Sequence, residues 1–577
     1  LFSKREKINK SYQKKIIKKI LKLKTIMKTR LVIGIVTFIF IVLGIGGYWG
    51  WHNYTLHTYL ENGEKHLLDW KNKEALAWYE KAVEMGSAKA LAMIGFIHYR
   101  GTDESLKNPA KGYEYSKKAA DMGYALANAE IGWDYLEGKG KAVDSLKAKE
   151  YFQKAMPYIE KLAKEGDFIA QTQLGRFYFY GYGGLKPDTV KAFRLFEGAA
   201  EQGYVPAIRN VGIHYFYGDG VTKDEAEAIK WYEKAAVKGY DMAYLNLGEA
   251  YQFGQQKDFD KAFENYKKAA ELGNLTAHFQ LANMYFYGTG RTKDSNEAVY
   301  WYRKAAEKGY VDAQNSLGAM YHNGNGVTKN FREAKKWYEL AANKRDAYAL
   351  CNLGILYETG GDGIEKDLSE AANMYKQAAK LGNKTAQLRL AEFYANGYGG
   401  LQRNDSEAVQ WYKIAAESNS IDAKYALAEF YENGNAQIKA DPTLAAKWYY
   451  QAAIRGKIEA MRKLIRIYKD GIGVAQDSYE ANRWQKNAEM RPLFLNIRCD
   501  VRNEKGDIEQ RQIRVAFVEK PVKGMGITDE IEEILRKDHN AKMNQDAINA
   551  IQKLYQIAQK NNVPFINLLE YALKGNK

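Results

Sequence analysis

A chain of 577 residues with 46% hydrophobic and 27% charged content is a folded protein too long for one ordinary core, so several domains or an array of repeats is expected. The net charge of +16 is concentrated in residues 1–30, where twelve Lys/Arg face the single acid Glu6 and give +11, leaving +5 for the other 547 residues. That distribution excludes the basic folded surface of a nucleic-acid binder, and two distant cysteines, Cys351 and Cys499, exclude a disulfide framework or a Cys-type zinc site.

Residues 1–30 are the basic N-terminal segment. Met27-Lys28-Thr29-Arg30 stands directly before an apolar run and reads as a natural start, which would make residues 1–26 non-native leader. Leu31 to Trp51, LVIGIVTFIFIVLGIGGYWGW, holds 21 residues without a charge. A helix of that length spans roughly 30 Å, the thickness of a bilayer core. Lys28 and Arg30 precede it, and Tyr48, Trp49 and Trp51 close it with the amphipathic rings that favour an interface. The expectation is an uncleaved signal anchor in a bacterial inner membrane, with the N-terminus cytoplasmic and the rest periplasmic. A cleaved signal peptide is the rival, but the run is longer than a usual h-region and no A-x-A site follows.

From about residue 54 to 491 one pattern recurs. Its first half is Ala-x-x-x-Leu-Gly/Ala-x-x-Tyr-x-x-Gly, as in AYLNLGEAYQFG (243–254) and AQNSLGAMYHNG (313–324). Ala313, Leu317 and Tyr321 fall at helical spacing, so they share one face expected to enter the core. The position of Gly318 holds Gly212, Gly248 and Gly354 or Ala282, Ala391 and Ala428 elsewhere, which predicts close helix–helix approach. Short glycine loops follow, as in Gly218-Asp219-Gly220, and read as C-caps and turns; they lack the GxxxxGK[ST] pattern of a phosphate loop. Asp224, Asp294, Asn330, Asp367, Asp441 (before Pro442) and Asp477 are predicted N-caps of the second helix. The second half is Trp/Tyr-x-x-x-Ala-Ala-x-x-Gly, as in WYEKAAVKG (231–239). Trp78, Trp231, Trp301, Trp337, Trp411, Trp448 and Trp484 share one register there and read as inter-helix packing. Closing glycines, or the residues in their place, lie at 86, 123, 166, 203, 239, 273, 309, 345, 382, 419, 456 and 491. A period of 34 to 43 residues means a solenoid of helical hairpins.

These motifs resemble the Sel-1-like repeat, a relative of the tetratricopeptide repeat. Leu-Gly-x-x-Tyr is kept, Ala replaces the leading Trp, and the loop is longer. The resemblance covers roughly three quarters of the chain. It implies an all-α, right-handed α-solenoid of antiparallel helix pairs over 52–491, serving as an adaptor or scaffold for peptides or protein partners. Some bacterial members carry a disulfide in each repeat and have been linked to β-lactam binding; this chain lacks those cysteines, so that activity is not carried over. The pattern departs at its ends: His98 replaces the motif Tyr, Ile465 replaces Gly/Ala, and Arg491 replaces the closing Gly.

Residues 492–577 are predicted to form a small α+β domain. LFLNIRCDV (493–501) and QIRVAFV (512–518) alternate as the strands of a hairpin, with a turn at Asn503–Asp507. Helices are expected at about 528–538, 545–560 and 563–573. The last stretch is similar to a small uncharacterised domain of some intracellular bacteria. A cap on the last repeat and a partner-binding module are both open.

No catalytic, metal or cofactor site emerges. The eight histidines are scattered and read as surface residues, and no HExxH, GxSxG or Walker loop occurs. One enrichment points to binding: Phe179-Tyr180, Phe216-Tyr217 and Phe286-Tyr287 end three first helices, where exposed aromatics would be hot spots. Packing against the next unit's loop is the alternative. The expected function is a non-enzymatic scaffold binding protein or peptide, joined to the membrane through 31–51; an exported host-interaction factor or an enzyme with an unrecognised site are the rivals.

Overall fold

Side-chain caps start most of the described helices. The structure, a computed structural model, describes residues 51–100, 106–138 and 142–489, and the backbone of 493–502, 508–517 and 541–543. The expected membrane segment at 31–51, apart from Trp51, lies outside the described residues, as do the basic segment and the three C-terminal helices. No helix of the described residues is long and apolar enough to cross a membrane.

The chain divides into two units, Leu1–Lys308 and Gly309–Lys577, each described by itself. Unit 1 is a run of helix pairs. The described part of α1 covers 51–68. It is followed by α2 (Asn72–Glu84), α3 (Ala88–Arg100), α4 (Pro109–Asp121), α5 (Ala127–Glu137), α6 (Ser145–Lys164), α7 (Phe168–Tyr180) and α8 (Thr189–Glu201). Then come α9 (Val205–Tyr217), α10 (Glu225–Ala236), α11 (Asp241–Phe253), α12 (Phe259–Glu271), α13 (Leu275–Tyr287) and α14 (Ser295–Glu307). Unit 2 continues the pattern with α15 (Val311–Asn323), α16 (Phe331–Ala342), α17 (Ala347–Thr359), α18 (Leu368–Lys380) and α19 (Lys384–Asn396). It ends with α20 (Asp405–Glu417), α21 (Ile421–Asn433), α22 (Pro442–Ala453), α23 (Ile458–Asp470) and α24 (Ser478–Glu489). Odd-numbered helices are the first of each pair, and from α3 onward each packs most closely on the even-numbered helix after it.

Asp224 Oδ1 accepts from the Glu227 amide at 2.9 Å, and Asp294, Asn330, Asp367, Asp441 and Asp477 cap the same way. Each satisfies a backbone donor that the helix start leaves open, worth about 1 kcal/mol. Some first helices are capped too, by Asp167, Asn274, Asp346, Asn383 and Ser420. The turn closing each pair needs a left-handed residue. Most are glycine, but Arg345 (φ 63°) and Asn419 (φ 67°) hold that conformation at the two internal positions that lack it.

The small residue of each first helix has a definite partner. A methyl group on Gly318 would stand 2.6 Å from Cδ1 of Tyr338, and one on Gly212 2.6 Å from Cε1 of Tyr232. Tyr79, Tyr232, Tyr266, Tyr302, Tyr338, Tyr375 and Tyr449 are buried in this second-helix position. The rule of size holds where the sequence departs from the motif. In α3 and α4 the roles swap: Tyr99 of the first helix lies on Gly112 of the second. In the last pair Ile465 replaces the small residue, and the facing position is the exposed Gln485 instead of a tyrosine.

This arrangement corrects two expectations. The motif Tyr of the first helix is half-buried at Tyr178, Tyr215, Tyr251, Tyr285 and Tyr321, at the edge of the core rather than inside it. Five of the seven tryptophans are also only half-buried; Trp337 and Trp484 are buried. A lysine ammonium lies over several, with Lys234 Nζ 3.9 Å from the Trp231 ring centre and Lys81 Nζ 4.3 Å from that of Trp78.

Unit 1 has contacts beyond nearest neighbours. Trp70, buried at the α1–α2 turn, packs 4.6 Å from Tyr240 and 6.4 Å from Phe96, ring centre to ring centre. Beside it Lys238 Nζ meets Asp69 at 2.6 Å.

In unit 2, β1 (Leu493–Arg502) and β2 (Ile508–Phe517) form an antiparallel hairpin in which Leu493 pairs with Phe517 and Arg502 with Ile508. The second strand therefore starts earlier than the expected 512. Pairing of the two backbones continues past the alternating stretch, because the ladder needs only main-chain groups. A short β3 (Ala541–Met543) pairs antiparallel to β1, and the order is β2-β1-β3.

Replacing Gly318 by Val is expected to cost about 1–3 kcal/mol through the clash with Tyr338. The urea midpoint of the G318V chain checks it. An unchanged midpoint contradicts the close-approach account.

Candidate functional site

Where do the six expected binding residues lie? Each Phe-Tyr pair splits. Phe179, Phe216 and Phe286 are half-buried, whereas Tyr180, Tyr217 and Tyr287 are exposed at 54%, 65% and 71%. Consecutive helical residues point about 100° apart, so one ring of each pair packs and the other does not. Within a pair the rings meet edge to face at 4.9, 5.1 and 5.0 Å. Phe179 lies 5.3 Å from the His214 ring of the next first helix. Lys223 Nζ stands 5.9 Å from the Phe216 ring.

The exposed ring is defined by position, not by the dipeptide. It stands five residues after the small residue: Tyr180 after Gly175, Tyr217 after Gly212, Tyr287 after Ala282. Phe253, five after Gly248, is 63% exposed in the same register. Dipeptide reading missed it because Gln252 precedes it; counting from the small residue finds it. The four rings thus belong to the consecutive first helices α7, α9, α11 and α13. In unit 2 this position holds Asn323, Thr359, Asn396, Asn433 and Asp470.

Two residues before the same small residue stand Gln173, Asn210, Asn246 and Gln280. Positions seven apart share a helix face and lie about 10 Å apart along it. A row of side-chain amides therefore runs beside the row of rings. The amides are held in place. Gln173 is buried, accepts from the Trp133 indole at 2.9 Å and donates to Glu130. Arg209 Nε donates to Asn246 Oδ1 at 2.6 Å, joining α9 to α11, and Asn246 donates to Glu249 at 3.1 Å. Asn283 donates to Gln280 at 3.3 Å and accepts from the Tyr302 hydroxyl at 2.6 Å.

At one end of these rows is a cleft of about 290 Å³, lined among others by Arg176, Tyr180, Arg209, Asn210, Tyr204 and Tyr240. The Arg176 guanidinium lies 3.5 Å from the Trp133 ring centre and 3.6 Å from Glu137. Burial raises the Glu249 carboxyl above its ordinary range, against the opposing pull of Asn246 and Arg209.

Histidines expected on the surface are partly in the core: His214 and His278 are buried. Burial lowers the His214 pKa, although its Nδ1 lies at hydrogen-bond distance from the Asp219 carbonyl. Cys351 is also buried, and desolvation pushes its thiol up to about 11. Cys499 lies where only the backbone is described. Among the described residues no group of three or more His, Cys, Asp or Glu is placed to hold a metal ion.

The folded chain binds the His214 proton less readily than the unfolded chain. Stability is therefore greatest above the ordinary imidazole value of about 6.5 and declines as pH falls below it. The expected result is a lower urea midpoint at pH 5 than at pH 7.5, with a smaller difference in the H214Q variant. An equal pH difference in both chains contradicts this assignment.

The Sel1 repeat pattern matches twelve segments of this chain, 59–87, 88–124, 125–155, 169–204, 205–240, 241–274, 275–310, 311–346, 347–383, 384–420, 421–457 and 458–486. Residues 494–577 match a domain of unknown function, DUF2610. Among solved structures, c5321, a protective antigen present in uropathogenic Escherichia coli strains, is 30% identical over 72% of this chain and 86% of its own, with a TM-score of 0.46. A Sel1 repeat protein from Oxalobacter formigenes is 31% identical over 55% of this chain and 89% of its own, with a TM-score of 0.41.

Proposed function

We propose that this chain, which belongs to the Sel1 repeat family, is a non-enzymatic protein-binding scaffold whose working surface is the face of α7, α9, α11 and α13. The observation that carries this reading is the row of exposed rings Tyr180, Tyr217, Phe253 and Tyr287. Four large aromatics stand in water at one register position on consecutive repeats, and such rings are favoured anchors for a partner. The rings stand on packed helices instead of loops, so little ordering cost opposes association.

In this reading residues 31–51 tether the scaffold to a bacterial inner membrane and the repeats face the periplasm. Support comes from the 21 uncharged residues, the preceding Lys28 and Arg30, and the aromatic belt at Tyr48, Trp49 and Trp51. Residues 492–577 make a small α+β domain behind the last repeat, a reading supported by the β1–β2 hairpin at its start.

A photoreactive phenylalanine at position 217 is expected to crosslink a discrete protein partner in cells, and one at 348, an exposed tyrosine of unit 2, is not. Equal labelling from both positions, or none from 217, overturns the assignment of the surface. Alkaline phosphatase fused after residue 60 is expected to be active; a well-expressed inactive fusion overturns the periplasmic orientation.

A further inference from the structure

Trp70 stands where other first helices end on glycine. Gly181, Gly218 and Gly288 close α7, α9 and α13 in the left-handed conformation, and Trp70 holds the same conformation, at φ 60°, in the α1–α2 turn. A bulky residue rarely does so, because its Cβ crowds a backbone oxygen. A turn of this kind needs no ring, and the ring serves elsewhere. It is buried against Tyr240 at 4.6 Å and Phe96 at 6.4 Å, and Phe96 in turn lies 6.4 Å from Tyr204, ring centre to ring centre. Phe96, Tyr204 and Tyr240 are part of the wall of the cleft that also holds Arg176, Arg209 and Asn210.

We propose that the α1–α2 pair is an intrachain latch. With Trp70 seated on Phe96 and Tyr240 it covers the aromatic end of the cleft, and it releases as a unit while the repeats from α3 onward stay folded. The use of that release, to admit an apolar side chain of a partner, rests on the scaffold reading; the latch itself does not.

Two kinds of contact hold the latch closed. Burial of Leu67 and Trp70 joins it to the core that contains Tyr204 and Tyr240. Charge adds to this: Asp69 meets Lys238 Nζ at 2.6 Å, and Glu64 meets Lys89 Nζ of α3 at 2.5 Å. The Lys238 ammonium holds the Asp69 carboxyl below its ordinary range.

Closure is also opposed. The left-handed backbone at Trp70 is one cost. In addition, the Trp70 indole N–H, both polar atoms of the Asn72 side chain and the Tyr79 hydroxyl are buried without a hydrogen-bond partner among the described residues. Such groups forfeit the hydrogen bonds that water supplies to an open chain. Strain and lost hydrogen bonds in one pair place it at the low-stability end of the array. The break falls between α2 and α3, at the left-handed Gly86, because α3 packs most closely on α4 and lays Tyr99 on Gly112.

Spin labels at Lys65→Cys and Val237→Cys, two exposed positions near the junction, report closure in the full chain in detergent, with Cys351 and Cys499 replaced by alanine. One short distance is expected in low salt. In a urea titration a long distance is expected well before helix content falls. Trp70→Ala raises the open fraction about tenfold or more. Asp69→Lys raises it about threefold, and Asp69→Lys/Lys238→Asp returns most of the closed state. Salt separates the ion pair from a packing defect. At 1 M NaCl the open fraction rises in the wild type, where attraction is screened, and falls in Asp69→Lys, where repulsion from Lys71 and Lys238 is screened. Trp70→Ala also takes up several-fold more of an apolar fluorescent dye than the wild type. The latch is overturned if the long distance appears only as helix is lost, if Trp70→Ala and Asp69→Lys both stay closed, if the charge swap opens as far as Asp69→Lys, or if Trp70→Ala takes up no more dye. A partner crosslinked at 217 together with any of these results removes the latch and leaves the scaffold standing.

Discussion

Everything in this molecule depends on one contact: an aromatic ring of the second helix lying on a residue without bulk in the first. Tyr338 on Gly318 and Tyr375 on Gly354 are examples. Glycine inside a helix costs about 1 kcal/mol relative to alanine, and the array accepts that cost repeatedly. What it gains is a tyrosine buried almost completely, together with a helix approach close enough to hold the pair. Several of these hydroxyls reach back to the first helix, as Tyr266 does to Gln252 at 2.7 Å and Tyr375 to Glu358 at 2.5 Å. Burial raises the pKa of both tyrosines, so their hydroxyls stay protonated donors even in alkaline solution that ionises an exposed tyrosine.

The contact is one of summed size rather than of residue type. Tyr99 on Gly112 inverts it, and in the last pair the bulkier, half-buried Ile465 goes with an exposed Gln485 in place of the ring. In the α3–α4 pair the departure from the motif is therefore compensated by the exchange of large and small residue. The rings of the proposed surface stand outside this constraint. Seven residues separate the amide row from the aromatic row, and the small residue lies between them. Packing fixes its direction into the pair, so both rows turn away from that contact. The packed pair and the row of exposed rings are two consequences of one helical register.

Much of this was legible in the residues themselves. The caps at Asp224, Asn330 and Asp441 were identifiable because an acid or amide before a helix has a local role that needs no tertiary context. The expected closeness of the pair at Gly248 and Ala282 followed from the restriction to small side chains. Burial of individual rings was harder to read. Tyr321 and Trp231 looked like core by periodicity and are at its edge, because period alone cannot say which of two neighbouring aromatics enters the interface. His214 and His278 looked like surface because histidine has no fixed preference, and only the neighbouring helices bury them.

The sequence by itself determined the repeat, the helix boundaries, the turns and the fold class, since each is set by contacts a few residues apart. It also marked three of the four exposed rings. Only the tertiary structure decided that Phe179, Phe216 and Phe286 pack while their neighbours stay in water. Counting from the small residue places Phe253 in the row, but only the tertiary structure showed that its ring is exposed there. The reason is physical: a solenoid repeats its core, whereas a binding surface is assembled across repeats, from positions 34 to 37 residues apart that meet only when the helices stack.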